Sequence, residues 1–215
     1  MSPHARADTA DPLVVRHIEF LGGMAGVPGA ASEARRVWRP PSTLPEVAFG
    51  GRSNVGKSSL LNALVRRKAI ARVSRTPGRT REINFFEVNG EFLLVDLPGY
   101  GYARASKAQR AAWRPLIQEY LRDTATLRGL VLLLDVRRDP TPDDEQMLAF
   151  LAERALPVLV AVTKIDKLSP RAAEARIAEL SASLGLAPEQ VVPFSAVTGA
   201  GRDELAAAVV ELVRG

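Results

Sequence analysis

Gly51-Arg52-Ser53-Asn54-Val55-Gly56-Lys57-Ser58 decides the fold of this 215-residue chain. The stretch fits GxxxxGK[ST], follows a short apolar run over 47–50 and opens a segment of helical periodicity over 57–67. Each residue type has a reason to be there. Glycines let backbone amides curl around phosphate oxygens, and the helix N-terminus adds positive dipole. Lys57 reaches the β and γ phosphates, and the Ser58 hydroxyl can ligate Mg²⁺. Gly51 to Ser58, with Ser59 after them, are therefore candidate nucleotide-binding residues.

Working outward, short apolar runs bounded by turn residues alternate with longer helical segments. The runs are 47–50, 83–88, 91–97, 129–136, 157–163 and 191–194, which gives six expected strands. Asn89-Gly90 between the second and third favours a type I′ hairpin, so one strand is antiparallel to its neighbour. Helices are expected over 57–67, 106–122, 142–154, 170–184 and 202–213. Ser106 with Gln109 resembles a capping box, and Thr141-Pro142 and Ser169-Pro170 place a cap residue before a first-turn proline. Pro115 should kink or break the second helix. Near-continuous apolar strands such as Val131-Leu132-Leu133-Leu134 imply a mostly parallel sheet covered on both faces, a three-layer α/β fold. Residues 45–215 read as one domain. Residues 1–44 read as an extension that is partly irregular, because Gly22, Gly23, Gly26, Pro28, Gly29, Pro40 and Pro41 crowd it, with Pro45 at its end.

Composition excludes several chemistries. There is no cysteine, so disulfides, thiolate zinc sites and thiol nucleophiles are absent. The two histidines, His4 and His17, precede the patterned segments, so the chemistry runs without imidazole. No early stretch reads as a signal peptide, and the longest apolar runs fall far short of the roughly 20 residues needed to cross a bilayer. The expected location is the cytoplasm, with no membrane contact.

Three further motifs follow in order. Asp96-Leu97-Pro98-Gly99 ends the third apolar run, where an aspartate can hold Mg²⁺ through water and a glycine amide can meet the γ-phosphate. Thr163-Lys164-Ile165-Asp166 ends the fifth. A buried carboxylate at Asp166 can accept hydrogen bonds from guanine N1–H and its 2-amino group, while the Lys164 stem packs over the base. Ser195-Ala196 follows the sixth run and offers a backbone amide to guanine O6. Adenine lacks the donors that Asp166 would accept.

Together these residues resemble the translation-factor class of P-loop GTPases over 46–214, with a Ras-like fold. Thr76-Pro77-Gly78-Arg79-Thr80-Arg81 then occupies the switch I position, and Thr80 matches the threonine that ligates Mg²⁺ with GTP bound. Pro45-Glu46-Val47-Ala48-Phe49 running into Gly51 to Leu60, with Ile83-Asn84-Phe85-Phe86 and Asp96-Leu97-Pro98-Gly99-Tyr100-Gly101-Tyr102-Ala103, is similar to the EngB family of bacterial GTPases. The resemblance implies a GTPase that acts in assembly of the large ribosomal subunit and is needed for normal cell division. It also implies Mg²⁺ held by Ser58, Thr80 and Asp96, and catalysis carried by Lys57, Thr80, Gly99 and Asn54. A GTP-gated binding module for a protein partner, with incidental hydrolysis, stays open at this point.

Tyr100 stands where Ras-like proteins carry the glutamine that orients water, so slow intrinsic turnover is expected. Asn54 matches an asparagine that coordinates K⁺ in related GTPases, with closure of the loop by its side chain as the alternative. Arg66, Arg67, Lys68, Arg72, Arg75, Arg79 and Arg81, then Arg104, Lys107, Arg110 and Arg114, form two basic runs without an acidic residue in either. Such runs read either as a solvated basic face or as a nucleotide-gated contact with RNA phosphates, which the resemblance implies are those of the large ribosomal subunit. Phe85 and Phe86 suit a core, while Tyr100 and Tyr102 can stack on a base or a partner. A monomer is expected.

Overall fold

A strand covered by helices on both sides must be apolar on both sides, and the central strands are. The computed structural model describes residues 10–25, 39–67, 70, 82–100 and 107–215. It contains β1 (Ile18–Ala25), β2 (Glu46–Gly51), α1 (Lys57–Leu64), β3 (Glu82–Val88), β4 (Phe92–Asp96) and α2 (Lys107–Asp123). These are followed by β5 (Leu127–Asp135), α3 (Pro142–Ala152), β6 (Val158–Thr163), α4 (Pro170–Leu184), β7 (Val191–Phe194) and α5 (Arg202–Arg214). Every residue of β2 is buried, and in β5 only Arg128 is exposed.

Alternate side chains of these strands feed two cores. Ala48, Leu130, Leu132, Val160 and Val162 face Leu116, Ile117, Tyr120 and Leu121 of α2, Leu151 of α3 and Leu180 of α4. Val47, Phe49, Val131, Leu133 and Ala161 face Leu60, Leu61 and Leu64 of α1 and Leu205, Ala206 and Val209 of α5. The result is the three-layer α/β arrangement.

The sheet has seven strands in the order β1-β3-β4-β2-β5-β6-β7, one more than the sequence pattern led us to expect. β3 runs opposite to the rest and so makes two antiparallel pairs, with β1 and with β4. The hairpin between β3 and β4 turns at Asn89 (φ 55°) and Gly90 (φ 70°), the positive φ pair of a type I′ turn. The additional strand is β1, in the stretch read as irregular. Its glycines mark a register shift between Phe20 and Gly22 and a close approach at Gly23, where an added Cβ would meet the Glu82 carboxylate at 2.4 Å.

Two cap expectations hold with added detail. Ser169 Oγ accepts from the Ala172 amide at 3.4 Å. Thr141 caps α3, where Asp144 accepts from the Thr141 amide at 2.8 Å and from its hydroxyl at 2.7 Å. α2 runs on through Pro115 instead of ending there. The missing donor is outweighed by Leu116, Ile117, Tyr120 and Leu121, which bury the turns after it. Ser106, the expected cap of α2, lies outside the described residues.

In the strand order, β2 sits between β4 on one side and β5 on the other. The chain leaves β2 through α1 on one face and reaches β5 through α2 on the other. The crevice at the C-terminal end of β2 is a topological switch point, where open α/β sheets bind ligands.

Candidate functional site

The P-loop residues 52–56 leave the C-terminal end of β2 and enter α1 at Lys57. The turn needs unusual backbone: Asn54 lies at φ 65° and Gly56 at φ 109°. The loop is laced to the segment after β4. Leu97 N–H donates to Phe49 O at 3.0 Å, Tyr100 N–H to Gly51 O at 3.3 Å and Ser53 N–H to Tyr100 O at 2.8 Å. Ser53 Oγ donates to Gly99 O at 3.3 Å. A Cβ on Gly99 would sit 3.2 Å from Ser53 N and 3.1 Å from its Oγ, so any larger residue would push Ser53 back by a few tenths of an ångström.

Lys57 Nζ contacts Asp96 Oδ1. Burial pushes the Lys57 ammonium down to about 7, and the adjoining carboxylate is what favours its charged form. Ser58 and Ser59, at the start of α1, are exposed and face no competing partner among the described residues.

Thr163 and Lys164 turn back onto the same loop. The Thr163 hydroxyl, buried, lies 2.7 Å from Val55 O and 3.0 Å from Leu134 O, so its single proton serves one carbonyl at a time. Lys164 is itself in the left-handed region (φ 62°). Its stem passes Gly56, whose added Cβ would meet Lys164 Cε at 3.6 Å, and Nζ donates to Asn54 O at 2.7 Å. The second partner of Lys164 Nζ is Asp135 Oδ2 at 2.9 Å. Asp135 closes β5. Although burial raises it, hydrogen bonds from Arg137 and Lys164 hold its carboxyl well below the usual range. The sequence reading missed Asp135; an acid closing an otherwise apolar strand beside the P-loop strand was the available signal.

Asp166 comes two residues after Lys164, on the 3-10 turn Ile165–Lys167, with its side chain 11% exposed. Ser195 Oγ donates to Asp166 Oδ1 at 2.7 Å, and Lys167 Nζ pairs with Oδ2 at 3.0 Å. Hydrogen bonds from Ser195 and Lys167 lower its pKa, so it is an acceptor at neutral pH. Ser195 also accepts from the amides of Val197 and Thr198, both at 3.2 Å, which folds the 195–200 loop around it. Ala196 lies exposed at the start of that loop.

Among the described residues the structure thus gathers Gly51 to Ser59, Asp96, Gly99, Thr163, Lys164, Asp166, Ser195 and Ala196 around the C-terminal edge of the sheet. Gly78, Arg79 and Thr80 lie outside the described residues, as do Tyr102, Lys68, Arg72, Arg75, Arg81 and Arg104. Two expectations are corrected. Tyr100 does not stack on a partner: it is 2% exposed, and its hydroxyl donates to Asp144 Oδ1 at 2.6 Å. Burial and that carboxylate push its pKa far above the ordinary value. Among the described residues the Asn54 side chain has no bond that would close the loop; the tie runs through its carbonyl. Phe85 and Phe86 are core. Arg66 pairs with Asp11 and Asp203 at 3.3 and 3.4 Å, and Arg67 donates to Arg16 O at 2.8 Å, so these two basic residues hold the N-terminal segment.

Residues 46–164 match the family model of the 50S ribosome-binding GTPase, and 115–214 match that of the elongation factor Tu GTP binding domain. The chain is 62% identical over 201 residues to a probable GTP-binding protein EngB of Gemmatimonas aurantiaca, covering 94% of this chain and 95% of that protein. It is 50% identical over 194 residues to its namesake in Pelotomaculum thermopropionicum, covering 90% and 93%. Among solved structures, a probable GTP-binding protein engB superposes with a TM-score of 0.68 at 28% identity, over 79% of this chain and 98% of that one. Era in complex with MgGDPNP and a segment of 16S ribosomal RNA superposes with a TM-score of 0.59 at 27% identity, over 79% of this chain and 56% of that one.

Proposed function

Because the chain belongs to the EngB family of P-loop GTPases, we propose that it is a GTP-driven switch in assembly of the large ribosomal subunit, on which normal cell division depends. The observation that carries the reading is the gathering of a phosphate loop, an Asp96-Leu97-Pro98-Gly99 turn and an Asp166–Ser195 pair at one end of the sheet. Residues 45–215 form the GTP-binding domain, and the protein acts as a cytoplasmic monomer. Among the described residues no helix is long and apolar enough to cross a membrane.

Each residue's role follows from its chemistry. The amides of Arg52 to Gly56 and the Lys57 ammonium hold the β and γ phosphates, Lys57 exchanging its bond to Asp96 for phosphate oxygen. The donor set at Ser58 and Asp96 fits Mg²⁺, which takes one or two protein oxygens and completes its shell with water and phosphate. Ser58, Asp96 and, in the GTP state, Thr80 would hold it; when bound it neutralises charge on the β and γ oxygens. Asp166 accepts from the guanine edge, Lys164 and Thr163 support the base pocket, and the Ala196 amide faces O6. Gly78 and Arg79, in the stretch that matches switch I, are assigned to the phosphates by the same family pattern. Water attacks the γ-phosphorus in line, the bond from it to the β,γ-bridging oxygen breaks, and GDP and phosphate leave. The Gly99 amide steadies the γ oxygens. The exposed Asn54 side chain, which bonds to no other side chain among the described residues, suits K⁺ beside the phosphates.

The basic residues flanking the switches, Arg72, Arg75, Arg79 and Arg81 then Arg104 and Arg110, favour a polyanionic partner, RNA of the large subunit. Co-sedimentation with large-subunit particles tests this. The GTP form should pellet more than the GDP form, and binding should fall by about 10³ to 10⁵ between 50 and 200 mM salt if roughly 6 to 10 phosphates are met. Reversing charge at Arg72, Arg75 and Arg110 should weaken binding and spare GTP affinity. Association indifferent to nucleotide and to those reversals would overturn the ribosomal assignment.

A further inference from the structure

We infer that Tyr100 is a positioning residue for GTP recognition and hydrolysis: bonded through its hydroxyl to Asp144, it anchors the Gly99 amide against the P-loop. The inference rests on the reading of Gly99 as the γ-phosphate contact. Tyr100 occupies the position after the DxPG turn, and its two ends do different work. Its backbone extends the sheet into the site, through Tyr100 N–H to Gly51 O (3.3 Å) and Ser53 N–H to Tyr100 O (2.8 Å). Its ring leaves the phosphate side and runs to the N-terminus of α3, where the hydroxyl donates to Asp144 Oδ1 at 2.6 Å.

The acceptor is itself fixed. Asp144 is 1% exposed, and its other oxygen takes the amide and the hydroxyl of Thr141 at 2.8 and 2.7 Å. The carboxylate that caps α3 therefore also holds the residue that starts the switch. Gly99 has no side chain of its own to hold it, and Pro98 before it has no amide to bond. Between the end of β4 and Tyr100, the Ser53 hydroxyl holds the Gly99 carbonyl at 3.3 Å, and the direction of the Gly99 amide is left to what flanks it. A tyrosine in this place cannot orient water, because its hydroxyl is committed to a carboxylate on the far side of the turn. It can decide whether the Gly99 amide meets the γ-phosphate at a bonding distance, where fractions of an ångström matter.

A matched control lies at the other end of the strands. Tyr120 is also buried and also donates to a buried carboxylate, Glu46 Oε2 at 2.8 Å, far from the P-loop in the fold. Tyr100→Phe and Tyr120→Phe remove the same bond, so both should lower Tm. Only Tyr100→Phe should lower affinity for a non-hydrolysable GTP analogue and kcat, each by about ten-fold, while GDP affinity stays within about two-fold. Asp144→Asn, which keeps an acceptor but loses its charge, should shift the same ratio by less, and serves if Tyr100→Phe fails to fold. If Tyr100→Phe or Asp144→Asn lowers Tm and leaves the ratio of GTP to GDP affinity and kcat unchanged, the anchor is structural only and the inference is overturned. A wild-type protein that did not prefer guanine nucleotides would instead defeat the reading on which it rests.

Discussion

Buried carboxylates stand at both ends of the parallel strands, and the two ends use them differently. At the N-terminal end Glu46 has 0% exposure and meets Arg39, Thr126 Oγ1 at 2.6 Å and Tyr120 Oη at 2.8 Å. Arg39 in turn donates to Thr124 and Thr126, both at 3.0 Å. Every group there is satisfied by another fixed part of the scaffold. At the C-terminal end Asp96 meets Lys57, Asp135 meets Arg137 and Lys164, and Asp166 meets Ser195 and Lys167. Lys57 and Asp96 can trade each other for phosphate and metal, and Asp166 keeps lone pairs for a base. Burial of charge alone does not mark a site; partners that a ligand can replace do.

The largest effect that would test this contrast lies at Asp166. A pocket built on a hydrogen-bonding carboxylate rejects a ligand that leaves it unpaired, by up to about 10⁴-fold. Asp166→Asn should lose GTP affinity on that scale and gain preference for xanthine nucleotide, measured by competition against a fluorescent guanine nucleotide. Equal binding of ATP and GTP by the wild type would break the base assignment. Glu46→Ala comes next and should behave oppositely. Removing its carboxylate leaves the Tyr120 and Thr126 hydroxyls without their acceptor, a loss of about 1 to 3 kcal/mol, while Arg39, whose side chain is 33% exposed, turns to water. Urea unfolding should show that loss, while nucleotide affinity of the folded fraction stays unchanged. A change in GTP affinity would join the two ends that the fold keeps separate.

The contrast also explains what could be read from the sequence. Strand and helix order, the hairpin at Asn89-Gly90 and the phosphate loop are local patterns, visible in consecutive residues. β1 was not, because Gly22 and Gly23 read as breakers, whereas in the sheet they serve a bulge and a close approach to Glu82. Pro115 read as a kink or a break for the same reason, and a break is excluded: propensity is local, while the packing of Leu116 and Ile117 is not. The site's tie points were less legible still. Tyr100 and Asp144 are 44 residues apart, and Lys164 and Asp135 are 29 apart. No spacing rule connects such pairs; only the strand order does. Thr163 belonged to a recognised motif, yet its visible task is to hold Val55 and Leu134 rather than a base.

That task gives a smaller effect with a distinct signature. Thr163→Val keeps the shape of the side chain and removes the one proton that serves Val55 O or Leu134 O, a loss of about 1 to 3 kcal/mol. Since Val55 is part of the P-loop and touches no γ-specific group, affinity for GTP and GDP should fall together, by roughly ten-fold. Isothermal titration with both nucleotides checks it. A fall confined to GTP would place Thr163 in the switch rather than under the loop.

The smallest expected effect is on pH dependence, and it comes from Lys57. Burial lowers its pKa to about 7, whereas a bound phosphate chain would raise it, so above that pH the complex holds more protons than the free protein. Binding then takes up a proton, and nucleotide affinity should decline as pH rises from about 7.5 to 9, by at most ten-fold per unit. Asp96 opposes the effect by favouring the ammonium, so the observed slope should lie below one proton. Lys57→Arg keeps its charge throughout this range and should flatten the profile, whatever it does to affinity itself. Titrating GDP rather than GTP keeps γ-phosphate ionisation out of the slope. A profile equally steep in Lys57→Arg would assign the proton to another group and leave the Lys57–Asp96 pair charged at every pH tested.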